Sequence, residues 1–267
     1  MFSSLVACAG GIRPGHFCVY CYLCYNWQLR NGFVNVVGSR FGPAPWETVV
    51  LGQLQSTILF LLALVVSISF HEFAHAWSAY ELGDTTARSN GRLTLNPVRH
   101  FDPIGALMIL FMAISGWGIG WGKPVPVNPY NLRTNPRVGM GLTAAAGPFS
   151  NLVLATLFAI PLRLGVVQYG GVFGELLWVF VLTNVSLAVF NLIPLPPLDG
   201  FSVIQGLLGT FRTQWAYEWG RRLDGLARYG PILLLGLLAL SWSGLFNPLG
   251  WLMSGPTQAL ISLLLGL

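Results

Sequence analysis

The sequence predicts an all-α polytopic membrane protein. Of its 267 residues, 54% are hydrophobic and only 9% are charged, whereas soluble domains carry about 25% charged residues. The mean hydropathy is +0.64. Apolar runs of membrane-spanning length recur along the chain. We therefore expect most of the chain to lie in a lipid bilayer.

Five long apolar runs and one shorter run determine the expected number of crossings. A spanning helix needs about 20 apolar residues, within a range of about 17 to 25, so we expect four to five transmembrane helices. The shorter run, 103–121, is interpreted as a re-entrant segment or tight hairpin. The long runs cover 49–80, 140–164, 176–193, 229–242 and 249–267.

The basic residues predict the orientation in the membrane. A nucleic-acid binder exposes its basic residues on a solvated module, but here they flank apolar runs, so no nucleic-acid partner is expected. If 103–121 is re-entrant, ten basic residues share one face, which the positive-inside rule assigns to the cytoplasm of a cell membrane. Arg13, Arg30, Arg40 and Arg163 then lie on the other side. The ten are Arg88, Arg92, Arg99, Lys123, Arg133, Arg137, Arg212, Arg221, Arg222 and Arg228.

Residues 1–45 differ in composition from the rest and hold all four cysteines, Cys8, Cys18, Cys21 and Cys24. The compact cysteine cluster could bind zinc or an iron–sulfur cluster, but it lacks the second, distant pair typical of such sites. We expect a poorly ordered tail, or a tail that results from an incorrectly assigned start site. Residues 46–267 then form the membrane-embedded domain.

The first apolar run ends in His-Glu-Phe-Ala-His, at residues 71–75. Histidines at i and i+4 share a helix face, so His71 and His75 can reach one zinc at about 2.0 to 2.1 Å, and Glu72 is placed to act as the general base. The motif could arise by chance. However, a charged residue at depth costs about 2.5 to 3.5 kcal/mol, and a divalent cation is a partner that all three groups can share.

A hydrolytic zinc usually takes three protein ligands and one water. Asp199 follows an apolar run and three prolines in residues 191–200, where broken backbone at membrane depth must line a cavity or be buried. We therefore expect one zinc ion per chain, with Asp199 as the third ligand. The alternative is that Asp199 only caps a helix that begins before Phe201.

The His-Glu-x-x-His motif in an apolar run, followed by Asn-Leu-Ile-Pro-Leu-Pro-Pro-Leu-Asp-Gly at 191–200, resembles the site-2 protease family of intramembrane zinc metalloproteases. The stretches 91–97, 122–129 and 146–151 also look like this family. The resemblance implies that His71, His75 and Asp199 bind zinc, that Glu72 is the general base, and that Asn191 orients the substrate or its developing oxyanion.

This resemblance implies an endopeptidase that hydrolyses peptide bonds in or near the transmembrane helices of single-pass membrane proteins. The catalytic core is expected at about 49–210. No PDZ or nucleotide-sensing domain is recognisable, and no apolar span precedes the motif, so a minimal member is implied. Because His75 lies 6 positions before Glu81, about 9 Å along a helix, the active site is expected near the cytoplasmic face.

Other interpretations remain open at this stage. Residues 85–97 contain Asn90-Gly91, which predicts either a cytoplasmic β-hairpin able to pair with an unwound substrate or a plain surface turn. His100 could face the site or lie on the surface. The chain could also be a metal transporter, although its polar residues would then be spread through several spans, or a scaffold without activity, although such a protein has no need of Glu72.

Overall fold

The computed structural model describes residues 46–115, 120–169, 171–243 and 246–266. The expectation for the 1–45 tail falls outside these residues. The described residues form α1 (Trp46–Glu81), α2 (Thr86–Ser89), α3 (Pro103–Ser115), α4 (Pro136–Arg163), α5 (Val172–Asn191), α6 (Asp199–Thr210), α7 (Gln214–Ala227), α8 (Gly230–Trp242) and α9 (Pro248–Leu265), with short 3-10 turns at Pro97–Arg99 and Pro129–Asn131.

Three helices are long and apolar enough to cross a membrane: Leu54–Glu81 of α1, then α4 and α5. The protein is thus an integral membrane protein, as predicted. Helices α7 and α8 pass the same test only as one span bent by 67°. The described residues therefore contain three or four candidate crossings, and the upper estimate of five is wrong. The fifth predicted run forms α9, whose 18 residues include polar Ser254, Thr257 and Gln258.

Helix α4 makes the most extensive packing contacts among the described helices, with α5, α6 and α1. In α5, buried Val179 and Phe180 share an apolar cluster with residues of α1 and α3, while Leu177, Val181 and Val185 share one with α4 and the end of α9. A third apolar cluster joins the loop before α6 to α8 and α9. The loop that leads to Asp199 is consequently held in place by buried apolar contacts.

Helix α6 approaches α4 closely because glycines meet at the contact. A Cβ on Gly141 would lie 2.7 Å from the Cα of Gly206, and the reverse distance is the same. No side chain fits at that separation, so the two backbones touch. This contact brings the first turn of α6, which carries Asp199, against the same helix that packs on the histidines.

The β-hairpin expected in residues 85–97 is wrong. The carboxylate of Asp84 accepts hydrogen bonds from the backbone N–H and hydroxyl of Thr86, and residues Thr86–Ser89 form the helical turn α2. Asn90 is its C-cap and Gly91 has φ +64°, the left-handed conformation that glycine adopts after helices. Asn90-Gly91 therefore ends a helix here.

The run 103–121 contains α3, whose 13 residues extend about 20 Å. That length is shorter than the roughly 30 Å hydrocarbon core of a bilayer, so α3 by itself is not a crossing. Residues 116–119 lie outside the described part of the chain, and the structure does not establish a re-entrant path.

Asp84 ties the end of α1 to the loop before α4. Besides Thr86, it accepts hydrogen bonds from the Asn128 N–H at 2.7 Å and the Asn131 side chain at 2.9 Å, and it is completely buried. Burial alone would raise the pKa of Asp84, but these hydrogen bonds outweigh it and hold the pKa below its usual value. The ionised carboxylate therefore stabilises the fold.

We expect this contribution to disappear in acid. Because the folded-state pKa is depressed, the stabilisation is present above the unfolded value of about 3.9 and is lost as pH falls through the folded-state pKa. The measurement is thermal unfolding in detergent, at neutral pH and at a series of progressively lower pH values. Asp84→Asn should be less stable than the wild type at neutral pH, and this difference should vanish at the lowest pH. A difference that persists unchanged at the lowest pH would contradict this role.

Candidate metal centre

The two motif histidines lie side by side on α1, one turn apart. Their Nε2 atoms are 3.0 Å from each other and their rings are nearly perpendicular. His71 is 7% exposed and His75 is 9% exposed. The predicted arrangement of two imidazoles on one helix face is therefore present, in a helix that is apolar and long enough to cross a membrane.

Hydrogen bonds at the other ring nitrogen fix the tautomer of each histidine. Nδ1 of His75 lies 2.7 Å from the Thr143 carbonyl oxygen, which can only accept, so Nδ1 carries the proton. Nδ1 of His71 lies 2.6 Å from Oδ1 of Asn151. Both Nε2 atoms therefore present lone pairs to the same point, as metal-binding histidines do.

Asp199, the first residue of α6, completes this group. Its Oδ2 lies 3.2 Å from Nε2 of His71 and 3.4 Å from Nε2 of His75. Leu198 is the N-cap of α6, and no side-chain capping bond is formed, so the helix-cap alternative is not supported. Gly200 allows the sharp entry into α6, because a Cβ there would lie 2.2 Å from the Leu192 carbonyl oxygen.

The geometry of the three donors fits zinc. With bonds of about 2.0 to 2.1 Å, a tetrahedral zinc separates its ligand atoms by about 3.3 to 3.4 Å, close to the three separations found here. Oδ2 of Asp199 is also a buried acceptor without a hydrogen-bond donor. Because the two Nε2 atoms and this oxygen converge on one point, a single cation can satisfy all three.

Helix α4 shapes the space around the imidazoles. A Cβ on Gly147 would lie 2.4 Å from Nε2 of His75 and 2.7 Å from Cε1 of His71. Any larger residue would displace both rings, so glycine is needed for α4 to pack against α1 at this level.

A buried asparagine pair supports His71. Nδ2 of Asn151 donates to Oδ1 of Asn184 at 2.9 Å and to the Ser67 carbonyl oxygen at 3.3 Å, and Asn184 donates to the Phe180 carbonyl oxygen at 2.9 Å. These bonds orient the Asn151 amide with its oxygen toward His71. The network joins α1, α4 and α5 within the bilayer region.

We expect Asn151→Leu to weaken zinc binding. The substitution keeps the branched shape of the side chain but removes the acceptor that orients His71, and losing such an outer partner typically costs about 10- to 100-fold in metal affinity. The measurement is competition for zinc between the purified protein and a chelator. Thr156→Val is the control, because the hydroxyl of Thr156, on the same helix, donates to the Leu152 carbonyl oxygen of that helix. Equal affinity in both variants would contradict the orienting role.

Glu72 is partly exposed and lies beside the segment after α3. A Cβ on Gly122 would lie 3.7 Å from Oε1 of Glu72 and 3.3 Å from the His100 carbonyl oxygen. Gly122 forms a single antiparallel bridge with Phe101. The predicted base thus lies near Gly122, in the segment that follows α3.

Two other predicted residues have different surroundings. Asn191, at the end of α5, donates through Nδ2 to the Leu187 carbonyl oxygen at 3.0 Å. His100 is completely buried, so a surface position is wrong. Its Nε2 lies 2.6 Å from the Thr94 carbonyl oxygen, and it is not part of the donor group.

The spanning helices and the buried donor set together define an integral membrane protein with a site suited to a metal ion. Residues 165–235 match the model of Peptidase family M50. The chain belongs to this site-2 protease family, which identifies it as a metalloprotease of that type.

Several curated proteins are similar to this chain. "Putative zinc metalloprotease YwhC" of Bacillus subtilis (strain 168) is 39% identical over 155 residues, which cover 55% of this chain and 68% of the relative. "Putative zinc metalloprotease Rip2" of Mycolicibacterium smegmatis is 31% identical over 182 residues, covering 68% of this chain and 66% of that protein. The chain thus spans about two thirds of the length of these relatives. No solved structure matches it with significance.

Proposed function

We propose that this protein is an intramembrane zinc endopeptidase that hydrolyses peptide bonds in or near the transmembrane helices of membrane protein substrates. The observation that carries the proposal is the triangle of His71, His75 and Asp199 donor atoms, which lie within 4.8 Å of one another on and beside a spanning helix. The names of the relatives as zinc metalloproteases support the same chemistry.

Each residue has a definite role in this proposal. His71, His75 and Asp199 would hold one zinc ion per chain, which when bound polarises a carbonyl group and makes water a nucleophile near neutral pH. Glu72 takes a proton from the attacking water and later gives it to the leaving amine. Asn191 orients the substrate or its oxyanion, for which its amide must leave the Leu187 carbonyl oxygen that it now bonds.

The proposed substrates are single-pass membrane proteins. Peptide groups of an intact helix are enclosed by their own hydrogen-bond ladder, so the substrate must unwind locally before its carbonyl can be attacked. We therefore expect residues that weaken helices to favour cleavage more than any strict sequence.

The test uses the purified full-length chain in detergent with one bound zinc. Two single-pass substrates are compared, one with Gly and Pro in its span and a matched one with Ala and Leu. The proposal expects faster cleavage of the first, loss of cleavage with a chelator, and recovery with zinc. Zinc-loaded protein that cleaves neither substrate would contradict it, and zinc transport into proteoliposomes without cleavage would instead favour a transporter.

We also propose that the site opens toward the cytoplasm of a cell membrane and that 103–121 is re-entrant. Phe101 and Gly122 form an antiparallel bridge, and the Lys123 N–H donates to the His100 carbonyl oxygen at 2.7 Å. The residues that flank 103–121 are thus in contact with each other. This contact supports a path in which the segment begins and ends on the same face of the membrane.

We expect cysteines introduced at Lys123 and Arg222 to be labelled from the cytoplasmic side, in a chain whose four native cysteines are replaced by serine. Val166→Cys is the control, because Val166 is exposed after the far end of α4 and should be labelled from the outside. The measurement is labelling by a membrane-impermeant maleimide in intact cells and in inverted vesicles. Labelling of position 123 together with position 166 would show that 103–121 crosses fully.

A further inference from the structure

Helix α7 is attached to the rest of the protein along one narrow stripe. Ala216 and Gly220, one turn apart, are its buried residues, and a Cβ on Gly220 would lie 2.2 Å from a guanidinium nitrogen of Arg137. Asp224 forms an ion pair with Arg137 at 2.6 Å and accepts from Gln205 at 2.8 Å. The helix is thus fixed to α4 and α6 by small residues and one ion pair.

The adjacent face of α7 is aromatic and exposed. Trp215, Trp219 and Leu226 are 58%, 44% and 38% exposed, and their spacing of four and seven residues places them on one side of the helix. We call these three residues the aromatic face. Phe211, just before the helix, is 58% exposed as well. No described element covers the aromatic face or Phe211. Transfer of these apolar side chains from water to an apolar environment would be favourable.

Arginines border the aromatic face. The guanidinium of Arg222 lies 5.2 Å from the ring centre of Trp219, and an open pocket is lined by Arg221, Arg222 and Glu218. Glu218 accepts a hydrogen bond from Gln214 at 3.0 Å. Among the described residues, the only arginine ion pair is the one between Arg137 and Asp224, so the arginines of α7 remain available to external anions.

The direction of α7 relative to α8 indicates where this surface lies. Helix α8 has no charged residue, which suits the hydrocarbon region, whereas α7 carries four charged residues in 14 positions and cannot enter it without a large cost. The two helices meet at 67°. Tryptophans on one face and arginines on its border are typical of helices that lie in the membrane interface.

We propose that α7 lies flat in the interface of the membrane, with the aromatic face among the acyl chains and with Arg221 and Arg222 bound to the phosphates of anionic lipids. Charge complementarity selects this partner. Residues 211–229 contain Arg212, Arg221, Arg222 and Arg228 against Glu218 and Asp224, four positive and two negative charges, and Asp224 is already paired within the protein.

The test places a spin label at single cysteines in the full-length chain, whose other cysteines are replaced by serine. Positions 219 and 226 represent the aromatic face, and positions 218 and 225 are the controls, about 90° around the same helix from that face. Gly225 has open space around it. The protein is reconstituted in nanodiscs of phosphatidylcholine alone or mixed with phosphatidylglycerol, and accessibility to oxygen and to a water-soluble nickel chelate is measured.

The proposal expects labels at 219 and 226 to be more accessible to oxygen than to nickel, with the reverse at 218 and 225. Phosphatidylglycerol should increase this contrast at 219. The double variant Arg221→Gln, Arg222→Gln should lose the lipid dependence, whereas Arg88→Gln, Arg99→Gln, which removes the same charge elsewhere, should keep it.

Three results would overturn the proposal. Equal nickel access at 219 and 218 would place the aromatic face in water. Exclusion of both reagents at 219 would indicate a protein partner or a second copy of the chain. A contrast that does not respond to phosphatidylglycerol, in variants with wild-type zinc content and thermal stability, would exclude a specific role for anionic lipid. These readouts do not depend on cleavage, so they stand apart from the proposed protease activity.

Discussion

Glu72→Gln is expected to abolish nearly all cleavage while leaving the zinc content and the fold unchanged. Glutamine has the shape of glutamate but cannot accept a proton from water, and a positioned general base contributes about 10²- to 10⁴-fold to such reactions. The three donors do not include Glu72, and their supporting bonds come from Thr143 and Asn151. The loss should therefore appear in turnover alone.

The measurement combines zinc per chain with the rate of cleavage of one single-pass substrate. Glu81→Gln is the matched control, because Glu81 ends the same helix α1 and is exposed. This control should retain wild-type zinc and wild-type rate. A zinc-loaded Glu72→Gln protein that keeps more than a small fraction of the activity would assign the base to another group.

The two histidines of the site could be predicted from the sequence, because they lie on the same face of one helix. His71 and His75 are related by the i, i+4 spacing of α1, and an ionisable pair inside an apolar run needs a partner whatever the tertiary fold. Asp199 was predicted from its position after a run broken by prolines. The structure brings its Oδ2 within 3.4 Å of both histidines, a distance that no local pattern could supply.

The supporting residues were missed because they depend on how helices pack. The Thr143 carbonyl oxygen is a backbone atom, and Gly147 matters only because α4 crosses α1 at that level. Asn151 and Asn184 did give a signal, since each is an amide inside an apolar run where an unpaired polar group is costly. An amide at such a position therefore indicates a buried polar partner, as the histidines do.

The incorrect hairpin shows the limit of local turn signals. Asn-Gly is typical of tight hairpin turns, but Asp84 starts a helical turn at Thr86 and the same dipeptide then becomes its end. Asp84 is itself held by Asn128 and Asn131, which are more than 40 residues away in the chain. A long-range contact therefore decided the local conformation.

Asp199→Ala should lower zinc occupancy sharply. If a zinc-binding free energy of at least about 10 kcal/mol is shared equally among three ligands, the loss of one ligand costs about 3 kcal/mol. This cost corresponds to a loss of zinc affinity of more than about 100-fold. The variant also loses the negative charge that offsets the cation. Asp199→Asn should be intermediate for metal but poor for turnover, because a neutral ligand leaves the zinc more electropositive and alters how the site holds water and substrate.

Zinc per chain, measured for the wild type and both variants, separates a metal ligand from a helix cap. At a cap, Asn is about as favourable as Asp, so Asp102→Asn is the matched control: Oδ1 of Asp102 accepts from the N–H groups of Ile104 and Gly105 at the start of α3. That variant should keep full zinc. Equal occupancy in both Asp199 variants and the wild type would mean that the third ligand is another residue. His100 bonds to Thr94 outside the donor group. The third ligand would therefore have to be a residue that moves into the site when zinc binds.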